Sequence, residues 1–228
     1  MQLKSFLLVV SVLAVLLLTI PASAQLQVQT QQQTTPPPAA SSAAPEEESD
    51  LFTIPMVGFE MTKPESWVFL HKAEPSPDKP ETRLNDELLN TAAEELSGRP
   101  LAVVAKYPQP HSSLNPTLQV AMRSRQPLGD LDAPEILTII SNQMRGGFPD
   151  FQLEQAVTAT EVSGLEAATF TATYTVQGGP AAYPVRYRMW VIPRGSIFFI
   201  LGMSGAQEGE DAATEAFQQI LESVKIQP

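Results

Sequence analysis

Cysteine is absent from the 228-residue chain, which excludes a disulfide framework, a thiolate metal cage, a cysteine nucleophile and a lipidated N-terminal cysteine. Basic residues are scarce: 14 Lys and Arg stand against 25 Asp and Glu, for a formal charge of −11. A phosphate backbone has to be met by a basic face, so this balance argues against nucleic acid as a partner. The same sign disfavours an anionic membrane surface. No repeat of roughly 20 to 50 residues is visible, which sets aside solenoids and propellers.

What is present begins with a targeting pattern. Lys4 supplies a positive start, and Phe6 to Ile20 is apolar apart from Ser11 and Thr19. That run is shorter than the roughly 20 residues of a bilayer span. It is followed by Pro21 and the small-x-small triplet Ala22-Ser23-Ala24, a signal-peptidase site,. Residues 1–24 are therefore expected to be a signal peptide removed after Ala24; a retained anchor is the alternative. Residues 25–50 carry a glutamine cluster, Pro36-Pro37-Pro38 and Glu46-Glu47-Glu48, with almost no bulky apolar side chain after Val28. Such a segment cannot bury enough surface to offset chain entropy, and it reads as a disordered linker.

One domain follows, 51–228, with 13 basic and 21 acidic residues, so it is acidic without the linker. Its length suffices for a single core. Short strands are expected at Phe52–Met56 and Gly58–Thr62, and a helix over Leu84–Ser97, where Leu84, Leu88, Ala92 and Leu96 recur at helical spacing before Gly98. Leu101–Tyr107 and Thr117–Arg123 read as strands. A second helix begins at Asp132, where D-A-P-E offers a capping Asp, a Pro in the first turn and Glu135 at the third helical position. Strands are predicted at Leu153–Val162, Ala167–Val176, Tyr183–Ile192 and Ser196–Met203, separated by Ser163-Gly164, Gly178-Gly179-Pro180 and Pro193-Arg194-Gly195. Such short connections make the strands antiparallel neighbours. A last helix over Asp211–Lys225 places Ala213, Ala216, Phe217, Ile220, Leu221 and Val224 on one face, to lie on the sheet.

Gly58-Phe59 followed by Pro64 and Trp67 resembles the G-[FY]-x4-P-x2-W opening of the PsbP-like superfamily, which takes in the extrinsic PsbP subunit of photosystem II and bacterial envelope proteins of the DcrB and LpqN types. Asn115-Pro116 ahead of a strand resembles the N-P of that group. The segment Phe217 to Ile226 resembles its closing helix with the I-L-x-S-[FV] tail. The similarity spans most of 51–228. It implies an α/β fold with a central antiparallel sheet of about six strands and helices on both faces, in a family whose members mostly bind other proteins and share no active site.

The candidate chemistry is thin. Gly202-Met203-Ser204-Gly205-Ala206 sits between a strand and a helix, as a nucleophile elbow does. It has Ala206 where the motif needs Gly, and no His follows it, so Ser204 reads as a strand-end turn residue and a serine hydrolase is disfavoured. His71 and His111 lie in Pro-containing loops, with only Glu74 and Asp78 as acidic neighbours of His71, which does not make a metal site. Gly146-Gly147 and Gly178-Gly179 lack the context of a phosphate loop and read as turns. No cofactor is implied.

Trp67 and Trp190 remain. On the third of the C-terminal strands Arg186, Arg188 and Trp190 share one face, opposite Tyr183, Val185, Tyr187, Met189 and Val191. Two readings stand: Trp190 packs beneath a helix, or it is solvated beside Arg186 and Arg188 as an aromatic and basic anchor for a partner. The expectation from sequence is an exported, non-catalytic protein of the periplasm or extracellular space. Its partner is another envelope or extracellular protein, with small-molecule or cation binding as the alternative.

Overall fold

The computed structural model describes residues 49–73, 89, 93, 96, 99–178 and 181–227. The signal segment, nearly all of the linker and most of the expected helix over Leu84–Ser97 lie outside the described residues. Of that helix, Leu89 and Ala93 are described as helical and buried.

Ten strands are described: β1 (Leu51–Ile54), β2 (Phe59–Thr62), β3 (Val68–Lys72), β4 (Ala102–Ala105), β5 (Thr117–Ser124), β6 (Gln152–Val162), β7 (Leu165–Gly178), β8 (Ala181–Arg194), β9 (Ile197–Ala206) and β10 (Lys225–Ile226). Two complete helices accompany them, α1 (Ala133–Gly147) and α2 (Thr214–Ser223). The main sheet has seven strands in the order β3-β4-β5-β9-β8-β7-β6, and every pair in it is antiparallel. This is the antiparallel α/β architecture expected, with one strand more. The added strand is β3, whose Val-Phe-Leu-His-Lys shows no alternation and whose side chains are half-buried to exposed.

The two N-terminal strands do not join that sheet. β1 and β10 flank β2 in a separate three-stranded sheet. Phe59 of β2 meets Phe199 of β9 with ring centroids 5.2 Å apart, so the small sheet packs against the large one.

The faces of the main sheet follow from period-two alternation. On β7, Ala168, Phe170, Ala172 and Tyr174 join a core with Ile136, Leu137, Ile140 and Met144 of α1. Ala167, one residue before Ala168, belongs to the opposite core, built with the small sheet, Trp67, Leu89, Ala93 and Ile220 of α2. α1 therefore lies on one side, and α2 with the helical residues Leu89 and Ala93 on the other. α1 sits over β6, β7 and β8, while the core built with the small sheet takes in β4, β5 and β9 and also Val162, Ala167, Trp190 and Ile192 of β6, β7 and β8.

Local chemistry sets the ends. Asp132 accepts from the Glu135 backbone N–H at 2.8 Å while the Glu135 carboxylate accepts from the Asp132 N–H at 2.9 Å, the reciprocal box expected at the start of α1,. Ser163 and Gly164 both adopt positive φ, 55° and 76°, the conformation that matches a two-residue turn to the twist of β6 and β7.

The last helix is shorter than expected from Asp211. Glu210–Ala212 form a 3-10 turn, Ala213 takes φ +52°, and α2 starts at Thr214. Asp211 is held from outside the helix, as the contacts below show.

Candidate functional site

The alternation on β8 is as expected: Val185, Met189 and Val191 enter the α1 core and Trp190 and Ile192 the opposite one. Arg186 and Arg188 therefore share a face with Trp190. The register extends this face across the sheet. Thr169 of β7 pairs with Trp190, Thr171 with Arg188 and Thr173 with Arg186; on β6, Thr158 stands opposite Thr169 and Gln155 opposite Thr171. In the other direction Trp190 meets Leu201 and Arg188 meets Met203, which are core residues. A single sheet face thus changes from apolar at β9 to threonine, glutamine and arginine at β6. Neither α1 nor α2 packs on this end of it, and Thr158, Gln155 and Arg186 are exposed.

Trp190 itself is 3% exposed. The solvated-tryptophan version of the patch is therefore corrected: alternation placed the ring on the right face, but at the inner end, where the core layer reaches it. What covers it toward the polar end is Arg188, whose guanidinium lies over the ring 4.8 Å from its centroid,. Trp67, the other tryptophan, is buried edge-to-face on Phe217 of α2 at 5.5 Å.

The two arginines differ. Arg186 is exposed and bonds Glu154 through Nε at 2.8 Å and Nη2 at 3.1 Å. Glu154 raises the Arg186 guanidinium above its ordinary value. Arg188 is half-buried, and burial lowers its guanidinium from the ordinary value. Among the described residues it makes no hydrogen bond and no ion pair, and its Nε is buried without an acceptor. Thr169, one pair along, is 4% exposed and its hydroxyl is likewise buried without a partner.

A second polar cluster closes one end of the sheet. Lys106, just past β4, donates to Asp211 at 3.0 Å and to the Glu210 carbonyl at 3.1 Å, and Tyr107 donates to the same Asp211 oxygen at 2.9 Å. Lys106 and then Tyr107 hold the Asp211 carboxyl below the usual carboxylate range. His111 stacks on Tyr107 with centroids 4.5 Å apart, and Ser113 Oγ lies 2.8 Å from its Nε2. A serine beside an imidazole needs a carboxylate to orient the ring; here the nearby carboxylate of Asp211 is taken by Lys106 and Tyr107. The arrangement ties a loop to the start of α2.

The other sequence candidates are placed as follows. Ser204 is a residue within β9, between Thr117 of β5 and Tyr187 of β8, and the strand runs on to Ala206. It is not at a strand-end turn, and it makes no hydrogen bond to a histidine among the described residues. His71 is not in a loop either: it lies on the edge strand β3, exposed. Among the described residues no three His, Asp or Glu side chains come together as metal ligands, and no helix is long and apolar enough to cross a membrane. The threonine half of the polar face went unseen in the sequence, although the T-x-T-x-T alternation of β7 carries it.

No family model matches the chain, and no curated protein does. Solved structures with similar folds include LpqN of Mycobacterium tuberculosis, involved in cell envelope biogenesis, at 17% identity and a TM-score of 0.45, covering 75% of this chain and 83% of that one. The solution structure of the cyanobacterial PsbP (CyanoP) of Synechocystis sp. PCC 6803 is similar at 13% identity and a TM-score of 0.48, over 83% of this chain and 98% of that one. PA94 of Pseudomonas aeruginosa, a protein of unknown function, is similar at 13% identity and a TM-score of 0.45, over 55% and 82%.

Proposed function

We propose that the chain is an exported, non-catalytic protein-binding factor of the cell envelope, and that it meets its partner with the polar end of the main sheet. The export half of this reading rests on the signal pattern of residues 1–24. The binding half rests on one observation: one end of the face of β6, β7 and β8 opposite α1, beyond the buried Ala167, Trp190 and Ile192, is left open by α1 and α2 and carries Thr158, Gln155, Thr171, Thr173, Arg186 and Arg188. That end includes a half-buried cation, Arg188, with no counter-ion among the described residues, and charged side chains are seldom buried unless paired.

The test is site-specific photocrosslinking in the source cell's envelope fraction, with the photoreactive residue at Gln155 or Thr173 and a control at Asn142, exposed on α1. The expected result is a discrete protein adduct from Gln155 and Thr173 and none from Asn142. Adducts from all three positions alike, or from none, overturn the reading.

A further inference from the structure

The open face contains an unmatched charge. Arg188 and Thr169 are diagonal neighbours, because Thr169 pairs with Trp190 and Thr171 with Arg188. Both present buried polar atoms without partners. Buried polar groups in native proteins are nearly always satisfied; here nothing in the fold takes up the Arg188 charge, and its Nη atoms, unlike Nε, are not buried and are free to meet a ligand. The neighbouring arginine shows the contrast: Arg186 has its carboxylate, Glu154, on both nitrogens of its fork.

We infer that Arg188 is the receptor for a single carboxylate, an Asp or Glu side chain of the partner protein, met by the Nη atoms of its half-buried guanidinium, with Thr171, itself bonded to Gln155, at its side. This deepens the proposed binding reading and rests on it. A guanidinium presents only donors in a planar fork, which a carboxylate matches with two parallel bonds. Stacking on Trp190 at 4.8 Å restrains the guanidinium before any ligand arrives, so less freedom is lost on binding,. The ligand is a monoanion and not a phosphate dianion because one uncompensated cation is available, Glu154 and Glu208 flank Arg186, and the chain as a whole carries −11. It belongs to a protein and not to a free metabolite because the site lies on a sheet face. Small ligands need a concave pocket that buries most of their surface.

The test follows the Arg188 Nε–H and Trp190 indole N–H signals of the isotope-labelled exported chain by NMR. The probes are a capped pentapeptide with one central glutamate, its glutamine counterpart, acetate and inorganic phosphate. The glutamate peptide is expected to shift both signals to saturation and the glutamine peptide to leave them in place. Arg188→Met should weaken the peptide by roughly tenfold to a hundredfold, the loss of a charge-assisted pair. Arg188→Lys keeps the charge without the fork and should also bind more weakly; it decides the matter if the methionine variant does not fold. Unmoved signals, or peptide binding unchanged in Arg188→Lys, overturn the inference. Acetate saturating as the peptide does overturns the protein source, and tighter binding of phosphate overturns the carboxylate. If photocrosslinks from Gln155 survive in Arg188→Met, the inference fails while the binding face stands; if wild type gives no photocrosslinks, the face itself fails.

Discussion

Tyr107 donates its hydroxyl to the carboxylate of Asp211 at 2.9 Å, joining residues 104 apart in the chain, and Lys106 reaches the same oxygen at 3.0 Å. This pin explains why α2 begins at Thr214, three residues after the start at Asp211 that the sequence predicts. An aspartate engaged by a neighbouring strand end is not free to cap a helix, and the chain turns through Ala213 at positive φ before α2 starts.

Acid should release the pin. The Asp211 carboxyl titrates below its ordinary value of 3.8 in the folded state, through Lys106 and then Tyr107. A depressed carboxyl contributes stability that is fully present above the unfolded value and is lost as pH falls through the folded one. Asp211→Asn is expected to cost roughly 0.5–1 kcal/mol near neutrality, as a partly solvated pair does. It should also flatten the decline of stability below about pH 4. Urea melts of both proteins across that range measure this.

Arg123 gives a prediction of opposite sign. Its side chain is 5% exposed on the main sheet, its Nη1 donates to the Met122 carbonyl at 2.6 Å, and burial lowers the guanidinium to about 10. An incompletely satisfied buried charge is a burden that a well-shaped apolar side chain lifts. Arg123→Met is expected to be neutral or to stabilise by about 1 kcal/mol. Since the unfolded chain holds the proton more tightly, wild-type stability relative to the variant should rise as pH climbs past about 10,. Paired thermal melts at neutral and alkaline pH check both statements.

Two glycines of β9 should behave differently when given a methyl group. At Gly202 an added Cβ would stand 2.2 Å from the Tyr187 hydroxyl, the far end of a side chain. At Gly205 it would stand 2.7 Å from the Asp211 backbone carbonyl, where the 3-10 turn crosses the strand. Gly202→Ala is expected to cost about 1–3 kcal/mol and to be partly relieved by Tyr187→Phe. Gly205→Ala has no such relief, and its denaturant midpoint should fall further. A double-variant comparison by chemical denaturation separates them.

The start of α1 offers a calibration. Asp132→Ala removes the acceptor for the Glu135 N–H and should cost about 1 kcal/mol, with Asp132→Asn largely preserving stability,. Equal losses in both, read from circular-dichroism melts, would mean that the charge and not the capping bond matters at this position.

Much of this architecture is written locally. The capping box at Asp132, the turn at Ser163-Gly164, the apolar stripe of α2 and the alternation of Val185, Met189 and Val191 on β8 each depend on residues within a few positions of one another. Backbone preference and side-chain periodicity act at that range, and so the sequence alone determined the antiparallel C-terminal strands and which side chains share a face. It could not determine what lies over that face. That Trp190 is buried while Arg186 is exposed, though both point the same way, follows from where the core built with the small sheet, Trp67, Leu89, Ala93 and α2 ends on that face. The placement of β1 and β2 with β10, the joining of β3 to the sheet edge, and the meeting of Tyr107 with Asp211 are of the same kind. Each is a contact between distant segments whose partner is set by the packing of the whole chain, and only the tertiary structure decided them.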